Sequence, residues 1–312
     1  MDLRIVFMGT PDFAVPSLEI LIENNYQVVG VITATDKWGG RGKKKLLESP
    51  VKKAAVRHNI PVLQPKNLKD PGFLEELRAL RANLQVIVAF RMLPEVVWDM
   101  PELGTFNLHG SLLPKYRGAA PINWAIIRGE QETGVTSFFL QHEIDTGDLI
   151  FQESMPIHPD DTAGDVHDRM MHLGAEVVLK TVQAIASETV TTQKQDDTMA
   201  TSAPKLFSET CQINFGKPVG EVHNFVRGLS PYPAAWTTLD EQQLKILKAE
   251  PEPGKVPESP GTLLSDDKSF LKIACEDGYL NVLRLQLQGR KRMDIRDFLN
   301  GFTLADTSGR VG

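Results

Sequence analysis

The feature that most constrains the fold of this chain is its opening. Two nearly unbroken apolar runs, residues 3–8 and 26–34, flank a segment in which Val15, Leu18, Leu21 and Ile22 fall on one helical face. A strand with one face in water alternates in polarity. A run that is apolar throughout is covered on both faces, as in a parallel sheet with helices above and below. Residues 84–90 form a third run of this kind. Strand, helix, strand in this order predicts an α/β domain, a Rossmann-like doubly wound, mostly parallel sheet. Asp12 is placed to cap the first helix and Pro16 stands in its first turn. No G-x-G-x-x-G follows the first strand, so a nicotinamide dinucleotide is not expected.

Further along, residues 50–58 and 71–80 read as helices, 61–64 as extended, 94–98 as a helical turn and 119–127 as a helix entered through Ala-Pro. Residues 135–140 read as a strand. Thr162-Ala-Gly-Asp165 is a capping-box pattern. It opens a long helix whose buried stripe is Val166, Met170, Leu173, Val177, Val178, Val182 and Ile185. From 189 to 205 Thr, Gln, Asp and Ser dominate, the composition of a linker. Beyond it, one short helix (219–226) precedes five short strand-like stretches broken by Pro and Gly, and a closing helix at 294–300. That pattern suggests a smaller C-terminal β-barrel, of the oligonucleotide-binding kind. The expected division is residues 1–188 as one domain, 189–206 as linker and 207–312 as the barrel. Residues 251–260, with four prolines, read as a surface loop.

The formal net charge is −6, so a polyanionic partner has to be met by a local basic patch. One candidate is residues 35–49, where Lys37, Arg41, Lys43, Lys44 and Lys45 sit among three glycines with one aromatic, Trp38. Flexible, cationic and able to stack, this stretch suits a phosphate backbone; the plainer alternative is a solvated surface loop. Arg284, Arg290, Lys291 and Arg292 form a second basic cluster. Cys211 and Cys275, the only two cysteines, lack metal-ligand spacing and fit a reducing cytoplasm. No apolar run approaches the ~18 residues of a membrane span, and the N-terminus lacks a signal-peptide shape. A cytoplasmic monomer is expected, with no membrane association and no metal.

The candidate chemistry lies in residues 107–121, Asn-Leu-His-Gly-Ser-Leu-Leu-Pro-Lys-Tyr-Arg-Gly-Ala-Ala-Pro. Asn107 and His109 are two apart, so on an extended chain both side chains point the same way. A carboxamide can donate to a developing oxyanion and an imidazole can move a proton, which are the needs of acyl-type transfer. Leu112-Leu113-Pro114 can supply an apolar wall with free backbone polar groups. Asp145, in a loop ending at Gly147, is a candidate orienting partner for His109 or an Asx-type turn residue. His142 is a competing base without a carboxamide at strand spacing. His167 and His172, five apart on the long helix, read as surface or packing residues.

Asn107-x-His109, Ser111-Leu-Leu-Pro114, Arg117-Gly-Ala-Ala-Pro121 and Asp145-Thr-Gly-Asp148 together resemble the formyltransferases that use 10-formyltetrahydrofolate. Residues 7–14, Phe-Met-Gly-Thr-Pro-Asp-Phe-Ala, narrow the likeness to the methionyl-tRNA formyltransferase family. So do Gly40-Arg-Gly-Lys-Lys44 and Ser230-Pro-Tyr-Pro-Ala-Ala-Trp236. The resemblance implies a formyltransferase domain joined to an oligonucleotide-binding barrel, serving translation initiation. It implies that Asn107, His109 and Asp145 match the catalytic trio, and that Ser111, Leu112, Leu113 and Pro114 line the folate site. Arg41, Lys43, Lys44 and Lys45 match the loop that enters the acceptor arm of methionyl initiator tRNA. One departure is Phe90-Arg-Met-Leu-Pro94, one residue shorter than the stretch many members carry near the pterin pocket. Glycinamide ribonucleotide and sugar-amine formyltransferases share the trio chemistry, and a formyl-folate hydrolase would use water in place of the amine. A non-catalytic nucleic-acid-binding protein is the rival from another class.

Overall fold

A computed structural model describes residues 1–39, 42 and 44–312. Two compact units account for the chain. The first takes residues 1–118, 134–155 and 167–202; the second takes 119–133, 156–166 and 203–312.

The first unit is built on strands β1 (Arg4–Gly9), β2 (Gln27–Ile32), β5 (Val62–Leu63), β6 (Leu84–Val88), β7 (Thr105–His109), β8 (Glu132–Phe139) and β9 (Leu149–Pro156). They are ordered β5-β2-β1-β6-β7-β8-β9. The pairs from β5 through β7 are parallel, and β8 runs antiparallel to β7. This is the doubly wound sheet expected from the apolar runs: Ile5, Val6, Phe7 and Met8 are all fully buried. Helices α1 (Val15–Glu23), α2 (Pro50–Arg57), α3 (Pro71–Ala79) and α4 (Glu95–Trp98) connect the parallel strands. Phe73, Leu74 and Leu77 of α3 close over Val6, Met8, Ile32 and Ile87. Asp12 does not cap α1: it lies in a separate 3-10 turn, where its carboxylate accepts from the Phe13 amide at 3.1 Å. The cause is Pro11, whose extended backbone starts that turn before α1 begins.

The long helix α6 (Ala163–Ala186) opens on the expected capping box, with the Asp165 amide donating to Thr162 Oγ1 and the Thr162 amide to Asp165 Oδ2. Val166, Met170, Val177, Val178, Val182 and Ile185 are buried, each contributing about 1.5–3 kcal/mol by burial. Gly174 passes so close to Leu108 that a Cβ there would stand 2.7 Å from it. That contact puts α6 on the Leu108 face of β7. Alternation along the strand then turns Asn107 and His109 to the opposite face.

Residues 35–49 are not simply a loop. β3 (Lys37–Gly39) and β4 (Lys45–Leu47) pair as an antiparallel hairpin, with Trp38 opposite Leu46. Trp38 is 65% exposed, and Lys44 and Lys45 are exposed too. The hairpin base is anchored by Asp36, which accepts from Gln64 and pairs with Lys52 of α2. The Gln64 bond, then the Lys52 ammonium, hold the Asp36 carboxyl below the usual carboxylate range.

The second unit carries α5 (Pro121–Ile127), α7 (Val219–Leu229), α8 (Ile295–Leu299) and an antiparallel sheet. Its strands are β10 (Ala235–Leu239), β11 (Gln242–Pro253), β12 (Leu263–Ser265), β13 (Leu271–Ala274), β14 (Gly278–Leu287) and β15 (Met293–Asp294). The path β10-β11-β14-β13-β12 leaves β10 and β12 as its two ends. Residues 308–312 lie between those ends: the Leu263 amide donates to the Gly309 carbonyl, and the Gly312 amide to the Thr238 carbonyl. Residues 251–253, expected in a loop, extend β11 instead, because β11 follows β14 to the register pair Pro253–Gly278. Among the described residues no helix is long and apolar enough to cross a membrane.

Candidate active site

β7 ends at His109, at the carboxyl edge of the parallel strands, where open α/β sheets place their ligands. His109 is buried, and its Nε2 lies 2.8 Å from the Tyr116 carbonyl. A carbonyl only accepts, so Nε2 carries the hydrogen. Nδ1 faces Asp145 Oδ2 at 3.8 Å, too long for a direct hydrogen bond. With its hydrogen on Nε2, the ring holds its lone pair at Nδ1, on the Asp145 side. Asp145 has a left-handed backbone (φ 56°), and its Oδ2 accepts from the Gly118 amide at 2.9 Å. Gly147 must be glycine for the turn to close, since a Cβ there would fall 1.7 Å from the Phe139 carbonyl oxygen. Asn107 is half-buried, and among the described residues its carboxamide has no hydrogen-bond partner.

Residues 111–114 are held from below by two polar side chains. Thr136 on β8 donates to the Ser111 carbonyl (2.6 Å) and accepts from the Leu113 amide and from Gln152 Nε2. Gln152 on β9 also donates to the Leu113 carbonyl at 2.6 Å. Ser111 is buried, with its hydroxyl on the Lys115 carbonyl, and Leu113 is buried against Phe138 and Leu149. Leu112 and Pro114 are half-buried. The backbone acceptors expected to be free here each take a bond already. The carbonyls of residues 111 to 114 receive Thr136, the Lys115 amide, Gln152 and the Thr201 amide in turn. The stretch at 90–94 is tied down by Arg91, which donates to the carbonyls of Pro65 and Lys66.

His142 is exposed and engages Glu95 (3.5 Å) and the edge of Trp98. His167 rests on the Phe13 ring, and His172 is exposed. Lys44 and Lys45 stand on the basic hairpin, while Arg41 and Lys43 lie outside the described residues. In the second unit Arg284, Arg290, Lys291 and Arg292 are exposed. A cavity of about 360 Å³ there is lined in part by Lys205, Tyr232, Trp236 and Lys245.

Sequence reasoning missed the residues that tie the loop after His109 to the loop that carries Asp145. Gln195 donates to the carbonyls of Asp145 and Gly147 and accepts from Arg117. Thr201 accepts from the Tyr116 amide. The only signal pointing to them was a polar composition, which a solvated linker shares.

Two family models match the chain: formyl transferase over residues 3–182, and the formyl transferase C-terminal domain over residues 205–303. A methionyl-tRNA formyltransferase of Parabacteroides distasonis is 55% identical, over 96% of this chain and 96% of its own length. One of Bacteroides fragilis is 52% identical over 98% and 97%. Among solved structures, a sugar 3N-formyl transferase crystallised with dTDP and 5-N-formyl-THF has the same fold (TM-score 0.68, 23% identity, 93% of this chain and 100% of that one). A methionyl-tRNA formyltransferase from Clostridium thermocellum also shares the fold (TM-score 0.56, 15% identity, 80% and 93%). With both domain models matched and identities of 52–55% to relatives over nearly the full length of both chains, the chain belongs to the methionyl-tRNA formyltransferase family.

Proposed function

We propose that the protein transfers the formyl group of 10-formyltetrahydrofolate to the α-amine of methionyl initiator tRNA. The observation that carries this reading is the grouping at the end of β7: a half-buried carboxamide without a partner, two residues from an imidazole that faces a carboxylate. The attacking amine must be neutral, and with a pKa near ~8 it is only partly so at neutral pH. Its nitrogen bonds to the formyl carbon and the carbonyl pair moves to oxygen. Asn107 donates to that oxyanion. His109 accepts the amine proton at Nδ1, the nitrogen that the Tyr116 bond leaves basic, and returns it to the departing folate nitrogen. Asp145 offsets the charge while the ring holds the proton. The N-formyl bond forms, the folate C–N bond breaks, and the proton ends on tetrahydrofolate. Neither a metal nor a covalent intermediate is required.

Residues 111–114 form the folate wall through the half-buried faces of Leu112 and Pro114, while Ser111 and Leu113 support it from inside. Arg41, Lys43, Lys44 and Lys45 follow the acceptor-arm phosphates. Residues 1–188 carry the chemistry and 207–312 add RNA-binding surface, joined through 189–206. The protein works as a cytoplasmic monomer. The deciding experiment offers 10-formyltetrahydrofolate with methionyl initiator tRNA, uncharged tRNA, glycinamide ribonucleotide or water alone. Formylation of the charged tRNA only is expected. Turnover with water or glycinamide ribonucleotide at the same rate would replace this reading with a hydrolase or a small-molecule transferase.

A further inference from the structure

The segment from Gln193 to Ser202 runs as a polar seam beside both loops that carry the His109–Asp145 pair. Gln193 exchanges backbone bonds with Leu149, at 2.8 and 2.9 Å. Gln195 uses its full bonding capacity: Nε2 donates to the carbonyls of Asp145 and Gly147, both at 2.8 Å, and Oε1 accepts from Arg117 Nε (3.2 Å) and Nη2 (2.7 Å). Its amide orientation is dictated by these partners, because the flipped amide would set oxygen against two carbonyls and NH₂ against a guanidinium. Arg117 Nη2 is completed by Asp197 at 2.6 Å. Thr201 Oγ1 accepts from the Tyr116 amide at 2.9 Å, and the Thr201 carbonyl accepts from the Arg117 amide at 2.9 Å.

These bonds sit one step behind each half of the pair. The two carbonyls clamped by Gln195 belong to the turn whose left-handed first residue carries the Asp145 carboxylate. The amide held by Thr201 belongs to Tyr116, whose carbonyl holds the other nitrogen of the His109 ring. We propose that Gln195 and Thr201 are positioning residues for formyl transfer, together setting the separation at which Asp145 faces His109. This rests on the reading that His109 and Asp145 act in the reaction. Neither seam residue touches a reacting atom. Their effect runs through the backbone they fix, and a displacement of about 1 Å at such a pair costs roughly 100-fold in rate.

The glutamate variant separates positioning from simple neutralisation of Arg117. Gln195→Glu keeps the shape and can still take the guanidinium, but cannot donate to the Asp145 and Gly147 carbonyls. The test is single-turnover formylation of methionyl initiator tRNA by the full-length protein, with folate affinity, pH–rate profile and thermal midpoint measured on the same samples. Gln195→Glu is expected to lower the single-turnover rate about 10–100-fold. Folate affinity should stay within about twofold and the pH profile should move. Thr201→Val is expected to lower the rate, and Thr201→Ser, which keeps the hydroxyl, to recover most of the loss. In an Asp145→Asn background, adding Gln195→Glu should cost less than about twofold more, since both changes act on one carboxylate. Parental rate and pH profile in Gln195→Glu overturn the proposal, as does a fully multiplicative loss in the double variant. If Gln195→Glu does not fold, the two Thr201 variants decide: equal rates overturn it. A parental rate in Asp145→Asn alone instead removes the underlying reading of the pair.

Discussion

Asn107 stands two residues before His109 on β7, and among the described residues its half-buried carboxamide has no protein hydrogen-bond partner, which leaves it able to donate to a developing oxyanion. Asn107→Ala should therefore slow single-turnover formylation by about 10²–10³-fold, the usual cost of an oxyanion donor, with folate binding intact. His109→Ala should do likewise; near-parental rates in both would remove the site from the end of β7. A second residue makes a prediction about stability. His223 on α7 is buried, and burial, followed by the neighbouring Arg227 charge, pushes its imidazole below the ordinary value. Asp160 and a bond to the Ala249 backbone act in the opposite direction without restoring it. The unfolded chain thus binds this proton more readily than the folded one. The stability involved is complete above pH of about 6.5 and declines as pH falls from there through the lowered folded value. His223→Gln should flatten the loss of thermal midpoint on acidification below that pH. An unchanged slope would mean that other groups govern it.

The β3–β4 hairpin is the element with the clearest electrostatic consequence. Each lysine that neutralises an RNA phosphate adds roughly one unit to the salt dependence of binding. Replacing Lys43, Lys44 and Lys45 by alanine should weaken tRNA binding and flatten its log–log salt slope by about two to three units, leaving folate binding unchanged. A slope equal to the parent's would show that the hairpin does not contact phosphate. The cationic character of this stretch was legible in the sequence, but its strands were not. Three-residue strands rich in Gly and Lys carry no alternation to read, and the Asp36 anchor depends on Lys52 and Gln64 from other elements. The same contrast marks the site. The spacing of Asn107 and His109 announced a shared face, whereas the Gln195 clamp joins residues about 50 and 78 apart in sequence, and polar seams have no period.

For the whole molecule, the apolar runs, the capping box and the α6 stripe made the doubly wound sheet readable, because burial on two faces and helical periodicity are written locally. The interleaving of the units is not local. Residues 119–133 and 156–166 belong to the second unit although they fall within the first 188. Ile127 packs on the C-terminal core, Trp124 Nε1 donates to the Pro204 carbonyl, Asn123 to that of Gly228, and Arg227 to those of His158 and Asp161. Burial lowers the Arg227 pKa, partly countered by Asp161 and Asp160. A fragment of residues 1–202 would keep both segments and lose what they pack on. It should unfold without a sharp cooperative transition and should not formylate tRNA; a cooperative melt near the full-length midpoint would show that the first unit stands alone.

Of the four tryptophans, all among the described residues, Trp38 is exposed while Trp98, Trp124 and Trp236 are half-buried. The hairpin therefore carries an intrinsic fluorophore that differs from the rest in its access to a soluble quencher. Acrylamide titration of the native, unlabelled protein can report on nucleic acid arriving at this one edge, separately from events at the end of β7.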